Sequence, residues 1–318
     1  MFQSSIYLTM CLLQDLLDSS SSVLHSALGV YYAAATVVVP AAWKDGSCGV
    51  NIRTPDTATP FAAADIVVDK SVLMTSQSGG CAAPGDVITL PHTFIVHQNL
   101  TQSHARAFVH EWAKFRYGIF DQVGFAGDNL YPSFYIRDGK PLPTVTHDGV
   151  LAGSWLRDGE PCSPEQEERC RYAPDPASEV SCSLGSRLGL SSVRRYCNGS
   201  EAAIRPTKHA VLCHGRSAAD VISSHADFAT LRPVSQPPND LKPEIRIVRE
   251  PPTKYVLAID TSSSMNDHWR WIHKAAHKFI RYDLPVNSNL AILTFNDKAK
   301  LEHPLVQVIG IHISVWML

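Results

Sequence analysis

The chain has 318 residues, room for two domains with sizeable cores, and 45% of them are hydrophobic, as in an ordinary folded protein. Its 28 Lys and Arg stand against 30 Asp and Glu, and a formal charge of -2 excludes a global field that would draw it to nucleic acid or to an anionic membrane. Local sites must decide the function.

In chain order, residues 1–13 contain the apolar fragment IYLTMCLL with no basic segment before it, and Gln14, Asp15 and Asp18 follow in place of a cleavage site. No leader is evident, so the expectation is either a truncated N-terminus or a misassigned gene start. Leu12, Leu13, Leu16 and Leu17, then Val23, Leu24 and Leu28, predict a helix with one apolar face, interrupted or bent at the serine run 19–22. Thr36–Val39 predicts a short strand closed by Pro40, and 64–68 a second strand. The stretch 23–42 is apolar, but His25, Gly29 and Pro40 make it unconvincing as a membrane span. Between His92 and Tyr117, Phe108, Trp112 and Phe115 form one helical stripe for a core, with His110 and Lys114 on another face.

Eight cysteines are present, and Cys162, Cys170, Cys182, Cys197 and Cys213 crowd a stretch poor in long apolar runs. Such a segment needs an added constraint; disulfides of an oxidising compartment fit, because no close C-x2-C pair offers the rival zinc site. The sequons at Asn99 and Asn198 agree with secretory passage. Prolines 233, 237, 238, 243, 251 and 252 mark 232–252 as a linker between domains. Beyond it the texture changes: Tyr255–Ile259 predicts a buried parallel strand, Ile272, Ala275, Ala276 and Phe279 an amphipathic helix, and Leu290–Phe295 a second strand. The sequence stops too soon for a complete doubly wound domain, and an unfinished sheet would expose its edges.

Two sites carry chemistry. Residues 110–122 read HEWAKFRYGIFDQ. In an HExxH helix two histidines at i and i+4 reach one zinc while the glutamate activates a metal-bound water. Here His110 and Glu111 fit, Gly118 lets the chain turn and Asp121 can return an oxygen ligand, but Lys114 stands at the second histidine's place. An ammonium has no lone pair to give a metal. The plainer reading makes these three ordinary helix residues. His104 and Glu160 are further possible acceptors, without any spacing that selects them. Ser224, His225 and Asp227 lie adjacent and lack a nucleophile elbow, as loop residues would. The second site is Asp260-Thr261-Ser262-Ser263-Ser264, directly after a strand, where a carboxylate and two hydroxyls suit Mg2+ or Ca2+. Read alone, those five letters are also an ordinary polar turn and helix cap.

The stretch HEWAKFRYGIFDQ resembles HEWAHLRWGVFDE of the calcium-activated chloride channel regulators, a secreted, self-cleaving metalloprotease-like family. TVVVPAAWK at 36–44, ADIVV at 64–68, the cysteine-containing stretch to Cys213 and DVISSHADF at 220–228 extend the likeness, which runs from about residue 12 to about residue 308. The resemblance implies metal-ligand roles for His110 and Asp121, the general-base role for Glu111, a lost histidine at Lys114 and a replaced glutamate at Gln122. It also implies peptide-bond hydrolysis, often of the protein's own precursor, and modulation of a cell-surface chloride conductance. The DTSSS loop resembles that of a von Willebrand A-type domain, which this family carries after its proline-rich connection; Asp260, Ser262 and Ser264 take the ion-contacting roles, without the later threonine and aspartate of a complete site.

The resulting expectation is an α+β zincin-like domain over 1–231, a linker over 232–252 and a truncated α/β von Willebrand A-type domain over 253–318. The expected protein is an extracellular or cell-surface regulator with a degenerate Zn2+ site and a weak Mg2+ or Ca2+ site. Its expected partner is an extracellular or cell-surface protein such as a calcium-activated chloride channel, with no nucleic acid. The rival expectation is an active zinc endopeptidase.

Overall fold

The computed structural model describes residues 2–39, 64–69, 72–96, 102–167, 169–199, 205–230, 241–249, 253–284 and 288–308. These divide into two compact units, one drawn from 1–35 and 64–245, the other from 36–63 and 246–318.

The first unit opens on α1, Phe2–Leu28, a single helix of 27 residues. The helix runs through the serines without interruption. Ser22 returns its hydroxyl to the Asp18 carbonyl at 3.3 Å, and the Ser21 hydroxyl accepts from the Tyr32 amide at 3.2 Å, so the hydroxyls are partly satisfied without breaking the helix. Leu16 and Leu17 pack with Leu90, Ile95 and Phe108. β1, Ala34–Val39, crosses the boundary, with Thr36–Val39 belonging to the second unit. The first unit continues with β2, Ile66–Asp69, β3, Met74–Ser76, and β4, Val87–Pro91, with β4 central, parallel to β2 and antiparallel to β3. Of these strands the sequence pattern had offered only β1 and β2.

Two helices follow, α2, His92–Val96, and α3, Gln102–Tyr117. The stripe predicted for α3 is only half of its story: Phe108 is buried, but Trp112 and Phe115 are half-buried, while His110, Glu111, Ala113 and Lys114 on the other side are fully enclosed. A helix covered on both faces must satisfy its polar groups internally.

The remainder of this unit is a hairpin of β5, Phe134–Arg137, and β6, Lys140–Pro143, then a small sheet with β7, Gly153–Arg157, between β8, Glu160–Pro161, and β9, Arg171–Pro174. Short helices α4, Lys208–Leu212, α5, Ala218–Ser223, and α6, Ala226–Thr230, complete it. Disulfides tie Cys162 to Cys170 and Cys182 to Cys197, as expected of the cysteine-rich segment. Its fifth cysteine, Cys213, reaches outside the segment to Cys81 and closes a span of 132 residues.

β10, Glu244–Arg249, lies in the later part of the stretch expected to be a linker and pairs with β1. In the second unit β11, Lys254–Asp260, runs parallel to β12, Asn289–Phe295, with α7, Trp269–Lys278, between them in sequence. Ile259, Ala276, Leu284, Leu290, Ile292 and Val308 form its core. After Asp297, where the sequence offers no recognisable element, β13, Ala299–Gln307, covers one edge of β12 antiparallel. Every residue of β13 is exposed, and Lys300, Glu302 and Pro304 make it an edge that discourages further pairing. Among the described residues no helix is long and apolar enough to cross a membrane.

Candidate metal centre

The centre is assembled by the C-terminal half of α3 and the turn that follows. Gly118 ends the helix at φ +65°, and a Cβ there would lie 2.1 Å from the Ala83 carbonyl oxygen, so only glycine fits both the left-handed conformation and the close approach. Ile119 and Phe120 then plunge into the core with Leu184, Val221 and Ile222, which carries Asp121 back beside the helix. His209 on α4 pins the turn: its amide donates to the Asp121 carbonyl at 3.1 Å, and its Nδ1 accepts from the Phe120 amide at 3.1 Å. Its Nε2 lies 3.1 Å from the Arg216 carbonyl, which can only accept, so the ring is neutral with its proton on Nε2. Burial pushes its pKa down to about 4, against hydrogen bonds to the Arg216 and Ser217 backbone that favour the charged form.

His110, Glu111 and Asp121 bring ligand-type atoms within 4.8 Å of one another, all buried. His110 Nε2 stands 3.0 Å from Asp121 Oδ1; a carboxylate oxygen only accepts, so Nε2 is the donor. His110 Nδ1 has no partner among the described residues. Glu111, fully buried, receives the Thr75 hydroxyl on Oε2 at 2.8 Å. Lys114 Nζ lies 3.1 Å from Glu111 Oε2 and 3.1 Å from Asp121 Oδ2. Arg187 touches Glu111 Oε1 through the same nitrogen that lies 3.3 Å from Asp121 Oδ1. Burial alone would raise the Asp121 pKa; the hydrogen bond and electrostatic attraction of the His110 ring, then the nearby Lys114 and Arg187 cations, outweigh it and hold the carboxyl well below the ordinary range.

The donor types suit zinc, and their mutual distances could span one ion. The surroundings do not suit it. Lys114 Nζ stands at hydrogen-bonding distance from both carboxylates, and His110 presents Nε2–H rather than a lone pair to Asp121. A dication entering between the carboxylates would meet an ammonium at contact range. The residues present therefore do not fit a metal as they stand.

Of the other residues considered from sequence, His104 packs against the Phe94 ring at 4.9 Å and Glu160 is exposed on β8; neither joins the cluster. Asp227 of α6 forms a bidentate pair with Arg116 of α3 at 2.6 and 2.8 Å and donates its amide to His225 Nδ1, while Ser224, at the C-cap of α5, donates its hydroxyl to the Val221 carbonyl of the same helix; the three serve one helix pairing and one helix end. Thr75, Arg187 and His209 escaped sequence reasoning. Each comes from an element remote in the chain, and no local spacing signals it.

In the second unit the DTSSS loop sits at the carboxyl end of β11. Asp260 Oδ1 accepts from the Ser262 amide at 2.8 Å, and the Ser262 and Ser264 hydroxyls lie 3.0 Å apart. Hydrogen bonds from the Ser262 backbone, then from its side chain, lower the Asp260 pKa. Ser262 occupies the N-cap of a 3-10 turn over Ser263–His268, yet its side chain makes no cap hydrogen bond.

Comparison with known proteins adds a common origin. The family model for the calcium-activated chloride channel N-terminal region matches residues 9–235. The chain is 25% identical to calcium-activated chloride channel regulator 2 of Homo sapiens over 317 residues, covering 93% of this chain and 33% of that protein. It is likewise 25% identical to calcium-activated chloride channel regulator 1 of Bos taurus, covering 92% of this chain and 34% of that protein. The chain thus spans about a third of the length of these relatives. With a motif helix, a glycine turn and a returning aspartate in one buried cluster, and a family match over most of its length, the chain belongs to the calcium-activated chloride channel regulator family.

Proposed function

We propose that this protein is an extracellular regulator of a calcium-activated chloride conductance whose zincin-like first domain has lost peptide hydrolysis. Its von Willebrand A-type second domain, in this reading, engages a cell-surface or extracellular protein through a Mg2+ or Ca2+ ion held by Asp260, Ser262 and Ser264. One observation carries the loss of hydrolysis: the Lys114 ammonium, 3.1 Å from both Glu111 and Asp121, stands among the groups that would hold zinc and polarise water. The disulfides support passage through an oxidising compartment. For the second site, support comes from the loop's place at the end of a parallel strand, and from a Ser262 hydroxyl that is turned to Ser264 rather than spent on a cap.

The second reading is an active zinc endopeptidase that includes its own precursor among its substrates. The convergence of His110, Glu111 and Asp121 favours it, with Glu111 as the general base and the other two as ligands. Metal analysis of freshly purified protein, run beside a peptide-cleavage assay, separates the two. The regulator reading expects no stoichiometric zinc and no cleavage; stoichiometric zinc with cleavage abolished by Glu111→Gln would establish the enzyme.

A further inference from the structure

Lys114 explains only half of the charge in the centre. Glu111 and Asp121 are two enclosed carboxylates, and each of them contacts two cations, Lys114 and Arg187. Lys114 is the inner one, with a side chain 6% exposed, and Arg187 the outer one, at 47%, so the guanidinium forms the wall between the carboxylates and solvent. The pair balances both negative charges, which is the charge a zinc ion would bring.

Arg187 is held there by interlocked backbone. It closes the 3-10 turn Leu184–Ser186 in the left-handed region, at φ 52° and ψ 30°. The residue after Asp121, Gln122, donates its amide to the Gly185 carbonyl at 3.0 Å and accepts the Ser183 hydroxyl on Oε1. A Cβ at Gly185 would lie 2.5 Å from that same oxygen, so turn and aspartate loop are in tight contact. The disulfide Cys182–Cys197 brackets the turn. The placement of the guanidinium over the carboxylates thus follows from the same contacts that position Asp121.

Resting on the reading of the centre as non-hydrolytic, we infer that Lys114 and Arg187 together replace the metal as a built-in pair of cations, and that Arg187 by itself bars zinc even when the second histidine is restored. The chain needs two substitutions to regain a metal, where the motif alone calls for one.

The test compares the intact chain with Lys114→His, with Arg187→Asn and with both together, asparagine being tolerant of the left-handed conformation. Metal content after dialysis against trace zinc, and thermal midpoints with and without EDTA, are the readouts. The unaltered chain and Lys114→His are expected to stay zinc-free, while the double variant holds stoichiometric zinc, binds it roughly 10- to 100-fold more tightly than Lys114→His and melts higher with it. Stoichiometric zinc on Lys114→His alone, or none gained by the double variant, overturns the inference and leaves the non-hydrolytic reading standing. Zinc on the unaltered chain sinks both. Should the double variant not fold, Arg187→Asn in the natural background decides. Its midpoint is expected to drop by roughly 5 °C regardless of EDTA and to be recovered in part by Arg187→Lys. A midpoint no lower than that of Arg194→Asn, a substitution of an exposed arginine on the same loop region, overturns the inference.

Discussion

The two acidic sites of this molecule differ in how their negative charge is answered. Glu111 and Asp121 are enclosed, and every anionic oxygen meets a hydroxyl, a ring N–H, an ammonium or a guanidinium of the chain itself. Asp260 stands at an open loop, where the Ser262 amide and hydroxyl are its hydrogen-bond partners. Burial forbids an unanswered charge, so the first site carries its counterions as side chains, whereas the less enclosed Asp260 requires none from the chain. Under the proposed reading, magnesium or calcium is therefore expected to act on the second site and not on the first.

Removing the inner cation breaks this contrast most severely. Lys114→Met leaves two buried carboxylates with a single cation, and chemical denaturation is expected to show a loss of about 3–5 kcal/mol, unrelieved by magnesium. An unchanged midpoint would mean that the carboxylates are not held as charges. Next in size is the long crosslink of the first unit. Replacing Cys81 and Cys213 together by alanine is expected to cost about 2–5 kcal/mol, read as a shift of the first unit's unfolding transition, with the second unit's transition unmoved.

The pH dependence sharpens the contrast from a third side. An unfolded chain protonates His209 below about pH 6.5, but the buried ring takes up a proton only near pH 4. Its contribution to stability is thus complete above pH 6.5 and is lost progressively as the pH falls to 4, by a few kcal/mol at about 1.4 kcal/mol per unit. Urea midpoints across that range should slope for the natural chain and flatten for His209→Gln; equal slopes would remove His209 as the cause. At lower pH Asp148 follows. Burial would raise its pKa, but the Ser181 hydroxyl, the Cys182 and Ser181 amides and Arg195 hold it down to about 2, so its contribution is present above pH 3.8 and fades towards pH 2.

The smallest effect on stability belongs to the second site. Asp260→Ala is expected to leave the thermal midpoint unchanged in EDTA and to abolish the rise that magnesium gives the natural chain. A natural chain whose midpoint ignores both magnesium and calcium would remove the ion from the account of that loop.

Much of the local architecture was legible from residue order. The VLAID strand, the amphipathic helix after it and LAILTF follow from apolar runs and periodicity, and the helix through His110 and Glu111 with its glycine stop from the same local rules. The serine run misled, because tertiary packing encloses Ser20 and Ser21 on the helix, where the Ser21 hydroxyl accepts from the Tyr32 amide, while Ser22 returns its hydroxyl to the Asp18 carbonyl. The stripe on α3 misled in another way: periodicity marks one apolar face but is blind to a polar face enclosed by later parts of the chain.

Residue order by itself determined the helix, the turn at Gly118 and the family, since these rest on neighbours within a few residues and on a contiguous motif. Only the tertiary structure decided how the centre is neutralised. Arg187 reaches Glu111 from 76 residues away, through a turn seated on Gln122, and ion pairing across such a separation depends on which elements pack together, a relation that no local pattern encodes.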